Sequence, residues 1–174
     1  MQQYSTVKSN IYYLKMEQRP VWENALSKED TNIQQLKKPI STSNYLKLYN
    51  SVGGSLNWLD RVLMDDAELA AKINSEDTFI HGFYIKETLA GYCELVRSNK
   101  AVEILYFGLS PAFVGKGYGN YFLQKAIDLA WDLTPNYVEL NTCDLDHPNA
   151  LPTYKKMGFK HYKTIIEEKK TITK

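Results

Sequence analysis

The sequence predicts an α/β (α+β) fold in which helices flank a mixed, mostly antiparallel β-sheet, with the element order βααβββαβαβ. Three observations lead to this prediction. Three β-rich runs separated by short polar turns occupy residues 78–109. A helical hydrophobic repeat follows from Tyr118 to Leu133, and a strand, a short helix and a last strand come after Pro135. At 174 residues the chain suits one domain with a sizeable core, so we expect a single domain over residues 1–174.

The N-terminal part of the chain predicts one strand and two helices. The run "IYYLKMEQ" (residues 11–18) is typical of a strand, and the polar stretch 20–39 that follows shows no clear periodicity. "SNYLKLYNSVGG" (residues 43–54) has apolar side chains on one helical side and ends on two glycines, a helix stop signal. In "DDAELAAKI", Asp65 and Glu68 have the spacing of a capping box, which indicates a second, short helix.

The middle and C-terminal parts supply the remaining elements. "TFIHGFYIK", "LAGYCELVR" and "AVEILYFGL" predict three strands of an antiparallel meander. A helix follows whose apolar positions recur at helical spacing: Tyr118, Phe122, Ala126, Leu129, Ala130 and Leu133. "NYVELNTC" predicts a strand, "ALPTYKKMG" a short helix closed by Gly158, and "FKHYKTIIEE" the last strand. We expect the final run, "TIIEEKKTITK", to be a solvated edge or tail.

Composition argues against several classes of partner. The formal net charge of +1 gives no overall attraction to nucleic acid or to acidic membranes. No apolar signal core or membrane-length apolar run is present, and two cysteines are too few for a disulfide scaffold, so we expect a cytoplasmic protein. Cys143 and His147 lack further ligands for a structural zinc site, and we expect Asp144 and Asp146 to shape a loop, so no metal is predicted.

Three alternating glycines, Gly115, Gly117 and Gly119, lie between a predicted strand and a predicted helix. Such a turn suits an anion, because glycine allows close backbone approach and the first N–H groups of a helix lack internal partners. The dinucleotide fingerprint would need a glycine where Asn120 stands, and no Walker A run occurs in the chain. The remaining interpretations are a plain tight turn or a different phosphate ligand.

The run "PAFVGKGYGNYFL" resembles the pyrophosphate-binding motif of the GNAT superfamily, which transfers acyl groups from coenzyme A to amines. The downstream "ALPTYKKMGF" is similar to the family's second signature, and "EILYFGL" to its fourth strand. Together these cover Glu103 to Phe159, and the phrase "TCDLDHPNALPTY" also looks like a little-characterised bacterial branch of the family. The resemblance implies a GNAT-like sheet with acetyl-CoA as co-substrate.

The resemblance also implies which residues bind coenzyme A. These residues are Leu109, Val114, Gly115, Lys116, Gly117, Tyr118, Gly119, Asn120, His147, Ala150 and Tyr154. Two of them depart from the family pattern. Val114 stands where the family has Arg or Gln, so backbone amides carry the expected contact there, with Lys116 as an exposed charge. His147 replaces a frequent Asn.

Acyl transfer to an amine needs a proton acceptor, because deprotonating a lysine-like amine at pH 7 costs about 4–5 kcal/mol. Glu103 occupies the place where some family members carry such a base, and Glu94 on the neighbouring strand is the second candidate. The family frees a backbone N–H for the oxyanion at a bulge in the fourth strand, which by position is that of Phe107; Gly108 beside it fits a bulge. Tyr154 matches the family's general acid.

The function that follows is N-acetyl transfer from acetyl-CoA to a primary amine by direct attack in a ternary complex. The alternative, prompted by Val114 and His147, is a non-catalytic module that binds acyl-CoA in the same fold. We expect the acceptor, a small-molecule amine or a peptide, to bind near "LYNSVGGSLNWLDR" and Tyr84, with Trp58 in a partly aromatic pocket. Homodimers are common in the family, and the sequence leaves assembly open.

Overall fold

The computed structural model describes residues 3–23 and 27–172; residues 24–26 of the polar stretch and the last two residues of the predicted tail lie outside it. The strands are β1 (Tyr4–Met16), β2 (Thr31–Gln35), β3 (Thr78–Ile85), β4 (Thr88–Arg97), β5 (Ala101–Leu109), β6 (Tyr137–Cys143) and β7 (Lys160–Ile172). The helices are α1 (Thr42–Gly53), α2 (Asp66–Asn74), α3 (Gly119–Asp132) and α4 (Ala150–Lys156). None of the helices described is both long and apolar enough to cross a membrane.

The seven strands form one sheet in the order β2-β3-β4-β5-β6-β1-β7. Every neighbouring pair is antiparallel except β5 and β6, which run parallel. Alternate residues of β4 enter separate clusters: Tyr92 packs with α1 and α2, whereas Cys93 packs with α3. Helices therefore cover both faces, which confirms the predicted mixed, mostly antiparallel sheet flanked by helices.

The observed element order is ββααβββαβαβ, which has one strand more than the predicted order. This strand is β2, at the edge of the sheet. Ile33 is its one apolar residue and packs against the main core, meaning the cluster between the sheet and α3, whereas the other residues of β2 are polar. An edge strand with one side in water needs no apolar alternation, so the polar stretch hid it. The first and last strands of the chain are also longer than predicted, because β1 begins at Tyr4 and β7 continues to Ile172.

The position of β1 determines how the chain crosses the molecule. β1 lies between β6 and β7, whereas β2, the next strand along the chain, lies at the opposite edge of the sheet. We call the connection between them the strap, meaning the described residues 17–23 and 27–30. Arg19 of the strap pairs with Asp132 at 2.8 Å, and Trp22 Nε1 donates to Asp128 Oδ1 at 3.0 Å, so the strap runs along α3.

A buried ion pair joins the α1–α2 connection to the middle of the sheet. Arg61 Nη2 lies 2.6 Å from Glu94 Oε1, and Tyr45 Oη donates to Glu94 Oε2 at 2.5 Å. The Glu94 side chain is 0% exposed and that of Arg61 is 6% exposed. The guanidinium also lies over the ring of Tyr106, 5.5 Å from its centroid. Residues just before Arg61 are therefore fixed relative to β4 and β5.

Replacing Glu94 with Gln is expected to lower the free energy of unfolding by about 3–5 kcal/mol, because Arg61 then keeps a buried charge without an anion. Urea denaturation measures the loss. The matched control is Asp77→Asn, which breaks the exposed Asp77–Arg97 pair and should cost about 0–1 kcal/mol. Equal small losses in the two variants would contradict a structural role for the Glu94 pair.

Candidate functional site

The sheet opens where β5 and β6 separate. Their parallel pairing covers only Ala101–Glu103 with Tyr137–Glu139. Just beyond it, β4 advances by one residue while β5 advances by two, from Tyr106 to Ile104, so Leu105 is an extra residue in β5. This is a β-bulge, which bends a strand and interrupts its ladder. The sequence placed the bulge near Phe107 and Gly108, so the observed one is two residues earlier than Phe107.

A cleft of about 940 Å³ lies at this opening. Its walls come from several parts of the chain. The lining includes Ile104–Leu109 of β5, Ser55–Asp60 after α1, Val114, Gly119 and Asn120 at the start of α3, Asn141 and Cys143 of β6, Asp146, His147, Asn149, Ala150 and Tyr154 around the start of α4, and Glu167–Lys170 of β7. The cleft thus brings together predicted site residues that are far apart in sequence, such as Leu109 and Tyr154.

The glycine loop, residues 114–119, has an open backbone. Gly115 and Gly117 have φ values of +77° and +79°, a conformation that side chains other than glycine rarely adopt. A Cβ at Gly115 would meet no atom within 4 Å, so the backbone conformation explains this glycine better than crowding does. Tyr118 precedes α3 without a capping side chain, so protein side chains do not cap the first N–H groups of α3. Such exposed amides suit an anion.

The side chains of the loop supply little charge to it. Val114 is 46% exposed and has no polar atom to offer. Lys116 lies over the ring of Phe113, with Nζ 5.5 Å from the centroid. Of the residues predicted to bind the cofactor here, Val114, Gly119 and Asn120 line the cleft, whereas Gly115, Lys116, Gly117 and Tyr118 lie outside its lining.

Tyr154 of α4 reaches the same cleft from the side of β6. Its ring makes edge contacts with Phe107 and Phe159, with centroids 6.5 and 6.3 Å apart. Burial, with a smaller contribution from the charge of Asp146, raises the pKa of Tyr154 well above its ordinary value. The hydroxyl therefore carries its proton at neutral pH. Phe107 and Leu109, the predicted oxyanion and pantetheine positions, also line the cleft.

His147 and Ala150 line the cleft beside Tyr154. The backbone N–H of Asn149 donates to Nδ1 of His147 at 3.2 Å, which fixes the imidazole ring. With Nδ1 accepting this bond, Nε2 is the nitrogen that carries the proton of the neutral ring. His147 thus offers an N–H at the place where the family has an amide.

The two predicted carboxylate bases have different surroundings. Both oxygens of Glu94 are engaged by Arg61 and Tyr45, and the side chain does not line the cleft. Glu103 is half-buried and does not line the cleft either, but it lies next to the lining, because Asn141, which lines the cleft, donates to it at 3.3 Å. Burial and then the charge of Glu139 raise the pKa of Glu103. Glu103 is therefore the freer of the two carboxylates.

The opposite wall is aromatic and is held in place by Asp146. Trp58 packs against Tyr49 and Tyr106, and its Nε1 donates to Asp146 Oδ1 at 3.1 Å. Asp146 Oδ2 accepts from Thr142 Oγ1 and from the backbone N–H of Cys143. Asp146 does shape its loop, as the sequence indicated, and it also joins this loop to the Trp58 wall.

The acceptor-side prediction is only partly matched by this geometry. Trp58 and its neighbours line the cleft, but Tyr84 on β3 lies outside it. The sequence predicted the last strand but did not place it at the cleft, where Lys169 Nζ lies 3.7 Å from Asp60 Oδ2 and 3.6 Å from Glu167 Oε2. The final run was expected to be a solvated edge or tail, and only its pairing with β1 brings it to the cleft.

Comparison with known proteins agrees with this geometry. The model of the "Acetyltransferase (GNAT) family" matches residues 45–159. No curated protein matches the sequence. A GCN5-related N-acetyltransferase from Sphaerobacter thermophilus superposes with a TM-score of 0.65 at 14% identity, over 97% of this chain and 53% of that one. A Bacillus subtilis acetyltransferase in complex with CoA gives a TM-score of 0.54 at 21% identity, over 75% and 76%.

A third similar structure is an aminoglycoside acetyltransferase from an uncultured soil metagenomic sample, in complex with sisomicin. It has a TM-score of 0.58 at 12% identity, over 74% of this chain and 88% of that one. Several structures that match nearly all of this chain are longer proteins, and the chain spans between 53% and 63% of their length. At these identities the likeness shows the fold.

Replacing Asp146 with Ala is expected to shift the fluorescence of Trp58 to the red, because its indole N–H loses its partner and the wall loosens. Stability should fall by about 2 kcal/mol, since Thr142 and Cys143 also lose an acceptor. Emission spectra and urea denaturation, in a protein with Trp22 and Trp131 replaced by Phe, measure both effects.

The matched control is Asp144→Ala. Asp144 also accepts several hydrogen bonds, but from Asn10 and Tyr12 at the surface, and makes no contact with Trp58. An unchanged Trp58 spectrum in Asp146→Ala would contradict the proposed anchoring of the wall.

Proposed function

The chain belongs to the acetyltransferase (GNAT) family, and from this premise we propose that it transfers an acetyl group from acetyl-CoA to a primary amine. We further propose that the amine attacks the thioester directly in a ternary complex. The observation that supports this best is one cleft that joins the glycine loop, the bulged strand β5 and Tyr154. A thioester and an amine could meet there without a covalent enzyme intermediate.

In the proposed complex, the diphosphate of coenzyme A binds the backbone amides of the glycine loop. Amides in a left-handed glycine turn point together and favour negative charge. The pantetheine arm extends along β5, where the backbone near Leu109 has no strand partner from β6. His147 Nε2 and the backbone at Ala150 border the same arm. This orientation directs the thioester towards the bulge.

The acceptor amine must lose a proton before it attacks. We assign this proton to Glu103, directly or through water held by Asn141, because its carboxylate is the less engaged of the two. Its raised pKa brings it closer to the value that suits a base near neutral pH. The neutral nitrogen then forms the new C–N bond, and the carbonyl oxygen gains the negative charge.

The two later steps use β5 and α4. The backbone N–H of Phe107 is proposed to donate to the oxyanion, a contribution that typically lowers a barrier by about 3–4 kcal/mol. As the C–S bond breaks, the thiolate leaves and takes the proton of Tyr154. Burial raises the pKa of Tyr154, so its hydroxyl is protonated at neutral pH and is available as a donor when the thiolate leaves.

We propose a small-molecule amine as acceptor, bound between the Trp58 wall and the Asp60–Glu167 side of the cleft. The aromatic surface suits an apolar part of the molecule, and carboxylates suit a cationic amine. A peptide amine is the alternative. An acceptor panel with thiol-release detection tests both, and CoA binding with no turnover across the panel would favour the non-catalytic acyl-CoA-binding module instead.

Replacing Tyr154 with Phe is expected to lower kcat about 100-fold with little change in the affinity for coenzyme A, because only proton donation is lost. Steady-state thiol release and calorimetry measure the two quantities. Tyr137→Phe, which removes a hydroxyl on β6 outside the cleft lining, is the control. Full turnover in Tyr154→Phe would remove the general acid assignment.

Replacing Glu103 with Gln should also lower kcat/KM about 100-fold and should abolish the fall in rate at low pH. The base works when ionised, so the wild-type rate falls as pH drops through its raised pKa. The control is Glu139→Gln, which removes the neighbouring carboxylate in register with Glu103; it should keep the rate at neutral pH and keep the acid limb, moved to lower pH because Glu139 raises the pKa of Glu103. An acid limb that persists in Glu103→Gln would show that another group is the base.

Replacing Gly117 with Val is expected to weaken coenzyme A binding at least tenfold, because a β-branched residue resists the left-handed conformation that presents the amides. Calorimetry measures the affinity. Gly54→Ala is the control, since Gly54 has an ordinary helical φ of −59° and open space around it. Unchanged affinity in a folded Gly117→Val protein would contradict a phosphate site at this loop.

A further inference from the structure

The strap brings a lysine to the glycine loop. It follows α3 from the C-terminal end, where Arg19 pairs with Asp132, towards the N-terminal end, where the hydroxyls of Thr31 and Tyr121 share a hydrogen bond of 3.1 Å. Thr31 Oγ1 donates to the carbonyl of Lys28 at 2.7 Å. The backbone of Lys28 is therefore held against the first turn of α3.

The side chain of Lys28 points to the loop itself. Its Nζ lies 3.7 Å from the position that a Cβ on Gly117 would occupy, and 5.5 Å from the centroid of the Tyr118 ring. No carboxylate of the described residues forms an ion pair with it. Lys28 is thus a cation held beside the open amides and not neutralised there.

We propose that Lys28 binds the diphosphate of coenzyme A and supplies the side-chain charge that position 114 lacks. This inference rests on the proposed function. The loop amides are neutral donors, and a charged donor forms a shorter and roughly twice as strong hydrogen bond with phosphate. Lys116 of the loop lies over the ring of Phe113, whereas Lys28 Nζ lies 3.7 Å from the Cβ position of Gly117.

The position of β1 explains why the charge comes from this part of the chain. Because β1 lies between β6 and β7 and β2 lies at the far edge, the connection has to cross the sheet, and its described residues lie along α3 and beside the start of that helix. A lysine near the end of the connection then arrives at the loop from outside the motif. Lys28 stands 86 positions before Val114. In this proposal it makes the side-chain contact with the diphosphate that the family's Arg or Gln makes from the first position of the motif.

The test is the affinity of the full chain for coenzyme A in three variants, measured by calorimetry at low and at moderate salt. Lys28→Ala should raise Kd about tenfold and should make Kd less dependent on salt, because one charged contact with phosphate is lost. Lys28→Arg should stay close to wild type. Lys38→Ala is the matched control, since Lys38 also lies over an aromatic ring, that of Phe79, but contacts the end of α2.

A second ligand shows whether Lys28 contacts the diphosphate or the 3′-phosphate of coenzyme A. With dephospho-CoA, which lacks the 3′-phosphate, Lys28→Ala should weaken binding by the same factor. A factor that disappears with dephospho-CoA would overturn the diphosphate assignment. Equal affinities in Lys28→Ala and Lys38→Ala, with wild type binding coenzyme A, would overturn the role of Lys28 alone. Absence of coenzyme A binding by the wild-type chain would overturn the proposed function and this inference with it.

Discussion

The short parallel pairing of β5 and β6 is the constraint on which the rest of the site depends. Parallel strands end at the same edge of a sheet, so the segments that follow β5 and β6 emerge next to each other. The glycine loop follows β5, and the segment of Asp146 and Tyr154 follows β6. Because pairing stops at Glu103, and because Leu105 bends β5 away, a space opens between these segments instead of a continuous sheet. The cleft is therefore a gap in the hydrogen-bond ladder, lined by backbone groups as well as by side chains.

The walls of this gap are rigid for two different reasons. On one side the residues around Trp58 are held by the buried Arg61–Glu94 pair, by the aromatic contacts of Trp58 and by its bond to Asp146. A Cβ on Gly53 would lie 2.4 Å from the Trp58 ring, so the glycine is needed to let the indole approach the helix. On the other side Tyr154 packs in the main core through Phe159. In the proposed reaction, such walls would hold the reacting groups in place without closure of a loop, an arrangement suited to catalysis by positioning.

Local patterns in the sequence predicted most of the fold, and long-range pairing accounts for what they missed. The meander β3–β5 and the helix α3 carry strong periodicity because each buries one face, and both were predicted with bounds close to those observed. The strand β2 was missed because an edge strand with polar residues has no such pattern. The position of β1 could not be predicted from its own residues, since alternation shows that a strand exists and says nothing about its neighbours.

For the candidate site, the motif spacing indicated Tyr154 and the glycine loop. Asp146, Lys169 and Lys28 come close to these residues only through contacts between distant segments, which the sequence pattern does not show.

The place of β1 in the sheet also sets an order for assembly. β7 pairs with no strand except β1, through twelve residue pairs such as Ile11 with Ile165, which are 154 positions apart in sequence. Contacts between such distant residues form late, because the chain between them must first lose much of its freedom. The β7 wall of the cleft can therefore be completed only after the first strand has docked on β6. Until then β7, which carries the adjacent pairs Glu167-Glu168 and Lys169-Lys170, has no strand beside it in the sheet, and these charges disfavour aggregation through its edge.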